Sequence, residues 1–65
     1  MWSTYWWGIE DENSDMCGEE FFTALKDATK EQHRAYAKEI FPGENPVCYG
    51  FVTEEEADRM GLDTY

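Results

Sequence analysis

The fold class depends on residues 15–41, which read DMCGEEFFTALKDATKEQHRAYAKEIF. Asn13, Ser14 and Asp15 stand at the start of this stretch and are residue types preferred at helix N-caps. A stripe of apolar or small residues then recurs at helical spacing, at Cys17, Phe21, Ala24, Leu25 and Ala28. The pattern predicts a first helix that begins near Asp15.

A second start signal follows inside the same stretch. Residues 29–32, Thr-Lys-Glu-Gln, have the order of a capping box, in which two side chains satisfy free backbone N–H groups of a new helix. One face of that helix would carry His33, Tyr36, Ala37 and Ile40, and the helix would end before Pro42. A basic residue also recurs every four positions from Lys26 to Lys38, which fits a single bent helix over 15–41. Two helices and one bent helix therefore both remain open.

Strand signals lie on either side of this helical region. Residues 2–9 are rich in aromatic and β-branched types and carry aromatics on both faces, so the predicted strand needs cover on both sides. Residues 47–52, Val-Cys-Tyr-Gly-Phe-Val, predict a second strand, with Gly50 marking a bulge or a close approach.

A short helix is predicted after the second strand. Residues 53–56, Thr-Glu-Glu-Glu, form another capping box, and Gly61 is typical of a helix C-cap. We expect Leu62 and Tyr65 of the tail to pack back on the core. The prediction is a single α+β domain over residues 1–65, of order β-α-α-β-α, with a two-stranded antiparallel sheet. Because two strands are marginal in water, a tail strand or a dimer partner would extend that sheet.

The composition limits the function. The chain has 65 residues, fifteen Asp and Glu against five Lys and Arg, and a formal net charge of −10. Hydrophobic residues make up 42% of it, which indicates a folded domain and not an acidic disordered tail. Direct binding to nucleic acid or to an anionic membrane is disfavoured, because their phosphates attract cations and repel this acidic chain. No apolar run reaches the about 20 residues of a membrane span. Since the N-terminus also lacks a signal peptide pattern, we expect a cytoplasmic protein.

Metal chemistry is poorly supported. Residues 11–15 have the D-x-N-x-D opening of a calcium loop, but Met16 replaces the required glycine and Phe22 the bidentate glutamate. The soft ligands are Cys17, His33 and Cys48, with no closely spaced pair and no fourth member. We predict no metal and no cofactor.

Nucleophilic catalysis would have to use one of the two cysteines beside His33. Both Cys17 and Cys48 fall on apolar stripes, where buried free cysteine is common. We therefore predict no enzyme activity. A Cys17–Cys48 disulfide is left open.

The remaining signal is the acidic surface. By segment, the net charge is −6 over residues 1–20, +1 over 21–43 and −5 over 44–65, so two acidic regions flank a near-neutral middle. A compact chain of this length spans about 28 Å, and B-DNA of that length carries about 16 phosphate charges. The hypothesis is that carboxylates converge on one patch and imitate a polyanion, with two tryptophans as anchors. The candidate residues are Glu10, Asp11, Glu12, Asp15, Glu54, Glu55, Glu56, Asp58, Trp6 and Trp7.

In length, acidity and these two acidic clusters, the chain resembles the small anti-defence proteins of phages and mobile elements, including DNA mimics and anti-CRISPR proteins. The resemblance is to the class, and no family motif carries it. It implies an inhibitor or modulator of a nucleic-acid-binding protein, such as a CRISPR effector or restriction nuclease, acting in the host cytoplasm. The alternative is a small adaptor or assembly module that binds a protein partner, or itself as a homodimer, through the aromatic N-terminal strand.

Overall fold

Three antiparallel strands form one sheet with the N-terminal strand in its centre. The structure is a computed structural model that describes all residues 1–65. Its elements in chain order are β1 (Trp2–Gly8), β2 (Glu20–Lys26), α1 (Lys30–Ile40), β3 (Val47–Val52) and α2 (Glu54–Met60). The strand order is β2-β1-β3, and both neighbours run antiparallel to β1.

The predicted two-stranded sheet and the order β-α-α-β-α are wrong, because β2 occupies the place of the first predicted helix. The order is β-β-α-β-α. Phe21 and Leu25 fit a helical spacing, but they also fit the period of two that β2 uses when it pairs with β1. Gly18 has a φ of 95°, which an α-helix does not accept. Both alternatives for residues 15–41, two helices or one bent helix, fail for this reason.

The predicted starts of α1 and α2 and the predicted end of α2 are confirmed, although the capping box predicted at residues 53–56 forms only its Thr53 half. Thr29 caps α1 with the full capping box, in which the Gln32 side chain accepts from the Thr29 backbone N–H. Thr53 caps α2 by accepting from the backbone N–H of Glu56, and Gly61 ends α2 in the left-handed conformation. The strand predicted at residues 47–52 has those bounds. Its bulge lies next to Gly50: Gly50 pairs with Trp6 and Cys48 with Trp7, so Tyr49 is the extra residue.

The two faces of the sheet are covered unequally. On one face, called the α1 face, Trp7, Ile9 and Phe21 pack with Ala37 of α1 in the buried core. Met16, Phe41 and Cys48 pack against this core from its edges. The opposite face, called the α2 face, carries Trp2, Thr4 and Trp6 of β1, since side chains alternate along a strand. Only the seven-residue α2 and the tail lie over it, and α2 buries none of its residues.

The C-terminal tail pairs with the outer edge of β2 through an isolated parallel β-bridge between Phe22 and Thr64. Tyr65 donates its backbone N–H to the carbonyl of Phe22, and Phe22 donates to the carbonyl of Asp63. The Tyr65 ring packs edge-on against Phe21 and Phe41, with centroids at 6.0 and 5.6 Å. Tyr65 thus contacts the core at Phe21, while 41% of its surface remains exposed. The tail covers one edge of the sheet, and β3 forms the other, unpaired edge.

Candidate protein-binding surfaces

The eight candidate carboxylates lie at opposite ends of the sheet. Glu10, Asp11, Glu12 and Asp15, called the loop cluster, follow the end of β1. Glu54, Glu55, Glu56 and Asp58, called the helix cluster, follow the end of β3, which runs antiparallel to β1. Because Thr4 pairs with Val52 and Gly8 with Val47, about 14 Å of strand separates the two ends at about 3.4 Å per residue. The two clusters therefore form two patches.

The loop cluster sits on an ordered hairpin loop. The ladder of β1 and β2 continues through Ile9, whose N–H donates to Glu19 and whose carbonyl accepts from Gly18. Asp11 accepts from the backbone N–H of Asn13 at 2.9 Å, which makes a local turn. Ser14 donates its hydroxyl to the carboxylate of Glu44 at 2.6 Å. The predicted N-caps Asn13, Ser14 and Asp15 thus do not start a helix, and Asn13 and Ser14 build this loop.

An aromatic pair on the α2 face joins the loop cluster. The rings of Trp6 and Tyr49 meet edge-to-face with centroids 4.9 Å apart. Trp6 donates its indole N–H to Glu20 at 3.1 Å, and Tyr49 donates its hydroxyl to Glu10 at 2.6 Å. Gly8 makes this arrangement possible, because a Cβ there would collide with the Tyr49 ring. The result is a mixed aromatic and acidic surface at this end of the sheet.

Tyr49 is electrostatically tied to this surface. Its hydrogen bond to Glu10 favours the neutral phenol, and partial desolvation and the charges of Glu10 and Glu20 act in the same direction. Together they raise the pKa of Tyr49 from 10.0 to about 12. The hydroxyl therefore stays protonated and keeps the Glu10 carboxylate oriented at all physiological pH values.

The helix cluster has a structural role as well as an exposed charge. Three glutamates occupy the first turn of α2, where carboxylates interact favourably with the helix dipole. Glu55 lies 3.9 Å from Arg59. Glu54 and Asp58 have no cation within 4.0 Å and line a groove on the α2 face. Their charges remain available to a partner.

Of the two candidate tryptophans, only Trp6 reaches the surface. Trp7 is 0% exposed and donates its indole N–H to Thr23 at 2.8 Å. It is a core residue, so we leave it out of the binding surface. Trp2, which the sequence reasoning did not single out, is 66% exposed. Trp2 lies at the first position of β1 on the α2 face, opposite Lys26 of β2.

His33 is buried in a chain of hydrogen bonds. Its Nδ1 lies 2.7 Å from the Thr23 hydroxyl, and its Nε2 lies 2.7 Å from the Ser3 hydroxyl. The Thr23 hydroxyl has two partners, and because the Trp7 indole can only donate, Nδ1 is the one acceptor for the hydroxyl hydrogen. Nε2 then carries the proton and donates to Ser3, whose own hydrogen points to the Leu25 carbonyl at 3.4 Å. Only this neutral tautomer gives every hydrogen an acceptor.

Burial lowers the pKa of His33 below 6.5, because the charged imidazolium would lose its hydration. Both ring nitrogens are engaged in the hydroxyl chain, which fixes the orientation of the ring between β1, β2 and α1. The two thiols are free, with Cys17 exposed and Cys48 half-buried against the core.

The comparisons with known proteins return no relative: no family model, no curated protein and no solved structure matches the chain. Neither helix has the length and apolar character needed to cross a bilayer.

Proposed function

We propose that the chain inhibits or modulates a nucleic-acid-binding protein, such as a CRISPR effector or restriction nuclease, by presenting carboxylates to that protein's basic groove. The observation that carries the proposal is the lack of internal neutralisation. Seven of the eight candidate carboxylates have no cation within 4.0 Å, the exception being Glu55. Such carboxylates can accept charge-assisted hydrogen bonds from lysine and arginine of a partner.

The distribution of positive charge supports the same function. Three of the five basic residues, Lys30, Arg34 and Lys38, are on α1, on the other side of the sheet from α2. The loop and helix clusters are therefore not mixed with these cations. A partner's basic groove would be attracted to the α2 face and the loop end, and the attraction would speed encounter.

The loop cluster is the first contact that we propose. It combines four carboxylates with the half-buried Trp6 and the exposed Tyr49. Tryptophan and tyrosine frequently dominate binding energies at protein interfaces. Because the two clusters are separated by the length of the sheet, the polyanion would be imitated at two points and not by one continuous patch. Action in the cytoplasm is part of the proposal.

The test is a DNA-cleavage assay with a panel of restriction and RNA-guided nucleases, with the chain titrated at low and high salt. Inhibition should be competitive with duplex DNA and should weaken steeply with salt. The double variant Glu12→Gln/Asp15→Asn removes two exposed ion pairs with the partner, each of about 0.2–1 kcal/mol. The affinity for the nuclease should therefore fall roughly two- to thirtyfold.

The matched control is Glu31→Gln/Glu39→Gln, which makes the same charge change on α1 and should leave inhibition within about twofold. Equal loss in both double variants would mean that net charge alone is responsible. Binding that persists in saturating DNA would contradict the proposal, because the partner's groove would then not be the contact.

An adaptor module is a second candidate, supported by the free edge of β3. The N-terminal strand cannot serve as the pairing edge, because β1 is paired on both sides. The edge strand β3 carries no charged residue and exposes Val47, Tyr49 and Phe51, the last by 60%. Uncharged exposed edges accept an added strand. This function predicts salt-tolerant binding of a partner strand, which Phe51→Lys should abolish. Binding isotherms of the unchanged chain and of the variant at low and high salt measure this.

A further inference from the structure

A groove on the α2 face arises from a row of small side chains across the sheet. Ala24 of β2, Thr4 of β1 and Val52 of β3 lie directly opposite one another in the paired strands. The rows on either side consist of larger side chains, with Trp2 paired with Lys26 and Trp6 paired with Phe22. The small row therefore leaves a depression between two large rows, and α2 closes one side of it.

The groove has a volume of about 630 Å³, within the range of about 300–1,000 Å³ that is typical of ligand sites. Its floor is the small row, and α2 contributes Glu54, Ala57 and Asp58. No basic residue is among those that line it. Lys26 lies opposite Trp2 but does not line the groove.

Two features of the lining specify the charge of an occupant. Glu54 and Asp58 are carboxylates one helical turn apart, where side chains are neighbours, and neither has a cation partner in the chain. The Trp2 ring is exposed and has no cation over its face, whereas the Trp7 ring carries Arg34 at 5.4 Å. Unpaired carboxylates beside an open indole attract a cation on an apolar stem.

We propose that this groove binds an arginine side chain presented by a partner polypeptide. The aliphatic stem lies on the floor formed by Thr4, Ala24 and Val52. The guanidinium lies between Trp2 and the carboxylates of Glu54 and Asp58. Arginine fits better than lysine, because its planar group both stacks on an aromatic ring and donates in a fork to carboxylates.

The proposal rests on the proposed function, since it names the group on the basic partner that the helix cluster receives. A second copy of the chain is a poorer occupant. Each copy carries a net charge of −10, so two copies repel one another. The negative charge of the groove adds to this repulsion.

The probe is Nα-acetyl-L-arginine amide, titrated into the ¹⁵N-labelled chain and followed by two-dimensional NMR. We expect saturable shifts of the Trp2 indole N–H and of the backbone N–H groups of Thr4 and Ala57, with a Kd of the order of millimolar. The neutral citrulline analogue should bind about tenfold more weakly or worse, since it keeps the stem and removes the charge. Equal affinity for the two probes, shifts centred elsewhere, or no saturation would overturn the proposal.

Glu54→Gln/Asp58→Asn should weaken binding of the arginine probe about tenfold, while Glu31→Gln/Glu39→Gln should change it less than about twofold. Both pairs are exposed, so neither variant is expected to unfold the domain. Nuclease inhibition that survives in Glu54→Gln/Asp58→Asn, without arginine binding, would reject the groove and leave the proposed function standing. Arginine binding in the groove without inhibition of any nuclease would reject the proposed function and leave the groove as an arginine site.

Discussion

The hydroxyl of Thr23 should contribute far more to the free energy of unfolding than an ordinary surface hydroxyl does. The variant Thr23→Val tests this directly. Trp7, Thr23 and His33 are each 0% exposed. Valine keeps the shape of threonine but leaves the indole N–H of Trp7 without an acceptor and Nδ1 of His33 without a donor. Each buried polar group left unsatisfied costs about 1–3 kcal/mol, so two such groups cost about 2–6 kcal/mol.

That loss is large for so small a domain. Stability of about 0.05–0.15 kcal/mol per residue corresponds to roughly 3–10 kcal/mol for this chain. Urea unfolding followed by tryptophan fluorescence at pH 7.5 measures the change, where His33 is neutral in both states. Thr23→Val should move the unfolding midpoint strongly to lower urea while the slope of the free energy of unfolding against urea stays unchanged.

Two variants separate the hydrogen bonds from packing. Thr23→Ser keeps the hydroxyl and loses one methyl group, which costs about 1 kcal/mol. Thr4→Val makes the same chemical change on β1 at a half-buried position whose hydroxyl has no hydrogen-bond partner, so it should be close to neutral. A loss below about 0.5 kcal/mol in Thr23→Val, or an equal loss in Thr23→Ser, would refute the hydroxyl chain.

Three further predictions concern His33, the Glu10–Tyr49 hydrogen bond and Gly8. Burial lowers the pKa of His33 below the unfolded value of 6.5. The contribution of neutral His33 to the free energy of unfolding is therefore complete above pH 6.5 and falls as the pH drops below it, by up to about 1.4 kcal/mol per pH unit. Urea unfolding at pH 7.5, 6.5 and 5.5 measures this change, and a flat profile would contradict it. Glu10→Gln should lower the pKa of Tyr49 from about 12 towards 10.0, as followed by NMR titration of the tyrosine ring carbons, and an unchanged pKa would show that Glu10 is not its cause. Gly8→Ala should destabilise the fold by about 1–3 kcal/mol through its collision with Tyr49, and in urea unfolding this cost should largely vanish in the Tyr49→Ala background; a cost that persists there would place the strain elsewhere.

Local signals in the sequence were sufficient to predict where most of the helices and strands begin and end. Thr29, Thr53 and Gly61 act through neighbouring backbone groups, and the structure has them at the predicted helix ends. Residues 20–26 are different, because their apolar pattern fits a helix and a strand equally. Their pairing with β1 decides the matter, and that pairing joins residues far apart in sequence.

The candidate surfaces were predictable in composition but not in arrangement. The exposure of the acidic residues follows from their charge, whereas their separation follows from the antiparallel register of β1 and β3. Alternation places Trp6 and Trp7 on opposite faces, but it does not say which face α1 covers. Tyr49 was missed because its contact with Trp6 depends on the bulge and on the absence of a side chain at Gly8.

The unequal cover of the sheet links the fold to the proposed binding surfaces. An eleven-residue helix, α1, completes the core on one face, whereas a seven-residue helix and the tail lie over the other. Trp2, the groove and the pair Trp6–Tyr49 are thus left accessible on the α2 face, with unpaired carboxylates close by. Substitutions on the outer side of α1 should therefore leave partner binding unchanged, whereas substitutions on the α2 face should reduce it even where they do not alter stability.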